Sequence, residues 1–207
     1  DLVPITAGLT GYVPCDDEAY SDDDLIEIVN GAAIIDGGDG VDMVSYGNAG
    51  VSFNGSILVN LATGVFGGGA AGHQLFNIEG ISGTGGNDNI TGDNQSNLLV
   101  GNDGSDVLSG GGSVATPELE EEAGDTLFGN RGDDTLNGDA GDDLLHGGQG
   151  NDFLIGGDGS DTASYVFRQE HPDGRELAAE IIGTVDADLS LASPTAVFEN
   201  VLVDEDF

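Results

Sequence analysis

The chain has 207 residues, with 39 acidic and 3 basic side chains, for a formal charge of −36. With no lysine and no basic patch, neither nucleic acid nor an anionic membrane is expected as a partner. A single cysteine, Cys15, rules out an internal disulfide framework and is expected to be an unpaired thiol.

No apolar run is long enough for a membrane-spanning helix, so no membrane insertion is expected. No positively charged leader is present, and the chain starts at Asp1 rather than Met, as in a fragment or a processed chain. The 37 glycines and a hydrophobic share of 38% suit a thin structure better than a thick core.

Residues 1–35 follow no repeat. Pro4 and Pro14 break the early part, and Asp16, Asp17, Glu18, Asp22, Asp23 and Asp24 form an acidic run around Ser21. That run reads as a solvated surface, because the acid spacing and closing Glu of an EF-hand are missing. The following LIEIVN reads two ways. Ser21 can cap a short helix there, or the β-branched Ile26, Ile28 and Val29 can make a strand.

From 36 to 82 an isolated nonapeptide, GGDGVDMVS at Gly37, precedes Tyr46 and an irregular segment. That segment carries the alternating strand ILVNLATGVF from Ile57 and then LFNIEGI around Phe76. Residues 83–164 read in nines: GTGGNDNIT, GDNQSNLLV, GNDGSDVLS, an interrupted copy from Gly110, GNRGDDTLN, GDAGDDLLH, GGQGNDFLI and GGDGSDTAS. The interruption is SVATPELEEE, 113–122, and removing it restores the count. It is expected to bulge from one edge as a loop. Residues 165–207 start at Tyr165 and repeat the order seen after Tyr46, with ADLSLAS from Ala187 and VFENVLV around Phe198. This points to an internal duplication of about 120 residues, and the segment is expected to cap the array.

Each copy divides into a six-residue turn and a three-residue strand. Glycines permit positive φ and leave room for an ion. The sixth position supplies a hard carboxylate oxygen: Asp42 in the isolated copy, then Asp88, Asp106, Asp125, Asp134, Asp143, Asp152 and Asp161. Turn carbonyls supply the rest, because calcium takes six to eight oxygens. The expected contributors are Gly37 and Asp39, Gly83 and Gly85, Gly101 and Asp103, Gly129 and Arg131, Gly138 and Ala140, Gly147 and Gln149, and Gly156 and Asp158. In the copy from Gly92, Asn97 replaces the acid and Gln95 a glycine, so that site is expected to be weak or empty.

The eighth position is Ile90, Leu99, Leu108, Leu127, Leu136, Leu145, Leu154 or Ala163, and alternation turns it inward. Two copies make a coil of eighteen residues, so turns alternate between two edges of an all-β, right-handed parallel roll. Asp88 should stack on Asp106, Asp134 on Asp152 and Asp143 on Asp161. Asp106 meets Asp134 if the interruption lies outside the roll. Four coils at about 4.8 Å give a height of about 19 Å.

These tandem copies of G-G-x-G-x-D-x-U-x resemble the RTX family of calcium-binding nonapeptide repeats over 83–164 and 37–45. The resemblance implies a β-solenoid that binds several calcium ions and folds outside the cell in bacterial proteins exported by type I secretion. Self-repulsion agrees with an unfolded chain at low calcium.

Arg131-Gly132-Asp133 spells an adhesion tripeptide, but it occupies positions three to five of an ordinary turn. His73, His146 and His171 are too scattered for a zinc site. Neither H-E-x-x-H nor G-x-S-x-G occurs, so no enzyme activity is expected. Three roles are open: a secreted or cell-surface structural module for adhesion, a surface layer or head-to-tail fibres; a folding and secretion appendage of an RTX protease, lipase or alginate epimerase encoded elsewhere; and a calcium-dependent glycan-binding module.

Overall fold

The computed structural model describes residues 2–5, 12–14, 23, 25–28, 34–47, 55–112, 124–164, 167–170, 176–179 and 187–188. The expected loop 113–122, Cys15, His171 and Tyr165 lie outside the described residues. All regular structure described is strand. In chain order the strands are β1 (Leu2–Ile5), β2 (Tyr12–Pro14), β3 (Leu25–Ile28), β4 (Ile34–Asp36), β5 (Met43–Ser45), β6 (Ile57–Asn60), β7 (Val65–Gly68), β8 (Gln74–Phe76), β9 (Gly80–Ser82) and β10 (Asn89–Thr91). Then follow β11 (Leu98–Asp103), β12 (Val107–Ser109), β13 (Thr126–Arg131), β14 (Thr135–Ala140), β15 (Leu144–Gln149), β16 (Phe153–Asp158), β17 (Ser160–Ser164), β18 (Phe167–Glu170), β19 (Glu176–Ala179) and β20 (Ala187–Asp188).

Alternate strands go to opposite sheets, as two nonapeptides per coil require. A nine-stranded sheet runs β1-β3-β5-β9-β11-β13-β15-β17-β20, and a six-stranded sheet runs β16-β14-β12-β10-β6-β7. Within the repeats every pairing is parallel. Leu127 faces Leu145 and Leu136 faces Leu154, each eighteen positions apart. Across the interruption Leu99 faces Leu127 and Leu108 faces Leu136. The ten extra residues are thus skipped by the ladder, and the coil register survives them.

The eighth-position residues form two facing stacks. Val59, Ile90, Leu108, Leu136 and Leu154 line one sheet, while Ile81, Leu99, Leu127, Leu145 and Ala163 line the other, all buried. Alternation along short strands sends these side chains inward and their neighbours outward. Burial of each Leu or Ile contributes about 1.5–3 kcal/mol. The described strands from β13 to β16 are six residues long, not the expected three. Pairing continues into the next turn, where Asn102 faces Asn130 and Asn130 faces Gly148. These stacked turns stay in register, so their backbones go on exchanging hydrogen bonds.

The sheet also extends beyond the regular array. LIEIVN takes the strand alternative over Leu25–Ile28, and β3 joins β5 with Leu25 facing Met43. Strand β5 then pairs with β9, and β9 with β11. The nine-stranded sheet therefore takes strands from both sides of residues 35 and 82. Two antiparallel strands sit at sheet ends: β7 folds back on β6, and β20 lies beside β17. A three-stranded parallel sheet, β2-β4-β8, flanks the N-terminal part. Tyr46 is buried and its hydroxyl lies 3.0 Å from Nδ1 of His73.

Candidate metal centre

The sixth-position side chains stand in two columns, one on each edge. On the first, Asp88 N–H donates to Asp106 Oδ1 (2.8 Å), Asp106 N–H to Asp134 Oδ1 (2.8 Å) and Asp134 N–H to Asp152 Oδ1 (3.0 Å). On the second, Asn97 N–H donates to Asp125 Oδ1 (2.7 Å), Asp125 N–H to Asp143 Oδ1 (2.7 Å) and Asp143 N–H to Asp161 Oδ1 (3.1 Å). The pairings expected from the spacing are therefore formed, including Asp106 with Asp134 across the interruption.

One oxygen of each carboxylate fixes the ladder. The other points into the turn. Oδ2 of Asp106, Asp134, Asp143 and Asp161 is buried and accepts no hydrogen bond. An unsatisfied buried carboxylate oxygen is costly, and such atoms in a folded structure call for an unplaced ion or water. Burial pushes Asp106 and Asp143 up to about 7, and neighbouring carboxylates add to the rise. Burial likewise raises Asp125 and Asp134 to about 6, and it raises Asp88, Asp152 and Asp161.

The first-position glycines show where a cation fits. A Cβ on Gly138 would overlap both Asp143 Oδ2 and the Gly156 carbonyl oxygen. A Cβ on Gly129 would meet Asp134 Oδ2 and the Gly147 carbonyl in the same way, and Gly101, Gly147 and Gly156 each face the Oδ2 of their own turn's acid. At Gly138 and Gly129 a carboxylate oxygen converges with a backbone carbonyl from the next stacked turn. Among the described residues no three His, Cys, Asp or Glu side chains converge on one point. A cation there must take carbonyl oxygens as well as carboxylates, and an all-oxygen set suits a hard ion such as calcium. Bound calcium would neutralise the orphaned carboxylates and tie successive coils together.

The third-position residues follow the same stacking. Asp103, Arg131 and Gln149 lie in register, as do Ala140 and Asp158. The carbonyls of Arg131, Gln149 and Asp158 accept the fourth-position N–H of the preceding stacked turn. In the isolated copy, Asp42 is buried and its N–H donates to Glu79 Oε2 (2.9 Å), while a Cβ on Gly37 would overlap the Asn77 carbonyl. Asp39 lies at an exposed bend of that turn. Gly83 packs against Asp88 Oδ2 and the Gly101 carbonyl, whereas Gly85 is uncrowded.

Sequence reasoning missed two contributors. Glu79 occupies the rung between Asp42 and Asn97, a placement that LFNIEGI does not advertise because it is no nonapeptide. The fifth position builds a second ladder: Asn87 Oδ1 accepts from Ser105 N–H (3.0 Å), Asp133 Oδ1 from Asn151 N–H (2.8 Å) and Asp142 Oδ1 from Ser160 N–H (2.8 Å). The recurrence of Asn and Asp there was the available signal. Asp133 is thus tied to the neighbouring turn, as befits the ordinary-turn reading of Arg131-Gly132-Asp133.

No curated protein is matched by the chain. The family model for RTX calcium-binding nonapeptide repeats, in four copies, matches residues 82–113 and 128–163. With stacked turns, orphaned carboxylates and glycine cradles in those same segments, residues 82–113 and 128–163 are RTX-type calcium-binding nonapeptide repeats folded as a parallel β-roll.

Proposed function

We propose that this chain is an extracellular structural module that folds when calcium binds and that performs no catalysis of its own. The observation carrying this reading is the pair of columns of buried, orphaned Oδ2 atoms at Asp106, Asp134, Asp143 and Asp161. Stacking them as carboxylates without cations opposes folding, so ion binding and folding are coupled. Millimolar calcium outside cells matches weak, multi-oxygen sites. The antiparallel strands β7 and β20 at sheet ends favour a capped module over an open head-to-tail stack. Circular dichroism of the purified chain with calcium and after exhaustive EGTA dialysis tests the reading. A β signal that grows severalfold on adding calcium at neutral pH is expected, and an identical ordered spectrum in EGTA would overturn it.

A further inference from the structure

The turns of the roll are not all alike. In the copies from Gly37 and from Gly101 onward, the second position has positive φ: Gly38, Asn102, Gly111, Asn130, Asp139, Gly148 and Gly157. So does the fourth position at Gly40, Gly104, Gly132, Gly141, Gly150 and Gly159. The first coil, 83–100, departs at both edges. Thr84, Gly86, Asp93 and Gln95 are all absent from the positive-φ residues. Thr84 is β-branched, which makes positive φ strongly unfavourable.

Its second-position N–H groups turn toward the sixth side chain instead. Thr84 N–H donates to Asp88 Oδ2 (2.6 Å), and the Thr84 hydroxyl lies 3.0 Å from Asp88 Oδ1 and 3.2 Å from Oδ2. Asp88 Oδ1 also accepts Ile57 N–H (2.8 Å). On the other edge Asp93 N–H donates to Asn97 Oδ1 (2.7 Å), and Asn97 Nδ2 donates to the Glu79 carbonyl (3.3 Å). In both turns, protein donors occupy the oxygen that elsewhere is left for a cation.

We infer that the coil 83–100 closes without calcium and serves as a preformed template, and that within the array 83–164 the ion sites begin only with the coils after it. This removes Asp88 from the ligand set that spacing alone suggests. The first coil is also the one docked on non-repeat text: β10 pairs with β6, and β11 with β9. An ion-independent end gives the calcium-dependent coils a strand edge on which to add. Each later coil then joins a surface already formed, which avoids the costly nucleation of a free parallel rung. The inference rests on the proposed calcium-coupled folding and deepens it.

Two measurements test it. Isothermal titration compares calcium stoichiometry in the wild type, Thr84→Gly and Gln95→Gly/Asn97→Asp. Each variant restores the repeat pattern in one turn, and each is expected to gain about one ion, as calcium's one-per-turn oxygen demand implies. An unchanged count in either overturns the inference. Hydrogen exchange on the wild-type chain in EGTA then needs no variant to fold. Amides of 83–100 are expected to stay protected while those of 125–161 exchange, and uniform exchange across both overturns it. A wild type that binds no calcium at all would instead defeat the proposed function.

Discussion

A carboxylate buried beside another carboxylate holds its proton, and this governs the roll in the absence of metal. In an unfolded chain aspartate titrates near 4, whereas in the ion-free roll Asp106 and Asp143 titrate at about 7 and Asp125 and Asp134 at about 6. The folded state therefore binds more protons than the unfolded one between about pH 4 and 7. Its stability is greatest on the acid side of that window and falls as pH rises through it. In EGTA, β circular dichroism should be stronger at pH 5 than at pH 8; a signal that grows with pH would contradict the burial argument. With calcium the dependence reverses, because protons compete for the same oxygens. The calcium midpoint should move to higher concentration as pH drops from 7 to 5, measured by titration at each pH.

At the scale of the strand and turn, the inward column and the glycine cradle fail in different ways when altered. Leu127 is fully buried between Leu99 and Leu145. Its replacement in Leu127→Ala should cost about 2–5 kcal/mol in calcium-loaded denaturation. Val107, 46% exposed on an outward position, should tolerate Ala within about 0.5 kcal/mol. Gly132 has φ of 131° and packs against the Gly104 carbonyl of the turn stacked on it. Gly132→Ala therefore opposes both the conformation and the stacking. It should raise the calcium concentration needed for half-folding, read by circular dichroism, without changing the spectrum at saturation.

At the scale of the whole molecule, a charge of −36 on 207 residues acts against compaction whenever cations are scarce. The chelated chain should be expanded in small-angle scattering at low salt and shrink in about 1 M NaCl, where the screening length falls to about 3 Å. Calcium should do more than shrink it, since divalent ions held between specific oxygens fix a register that screening cannot. A scattering profile in 1 M NaCl identical to the calcium-loaded one would show that charge neutralisation alone suffices.

The nine-residue period by itself determined much of this. It gave the inward residue at every eighth position, the acid at every sixth, the two-edge alternation and the register kept across the ten-residue interruption. Such features are local: each is decided by what a residue can do within its own turn or strand. Three others were decided only by tertiary structure. Glu79 enters a rung because Gly80 pairs with Met43, thirty-seven positions away, and nothing in its own neighbourhood marks it. The strand β7 folds back antiparallel where an alternating run could equally have gone on stacking. The Thr84 turn follows the repeat spacing yet adopts another conformation, because its N–H and hydroxyl reach Asp88 while Ile57 arrives from a separate strand to complete the bond set. A repeat specifies which atoms recur at each interval; which of those atoms meets a proton donor and which is left for a cation depends on the residue at the second position of each copy and on the strands docked against it.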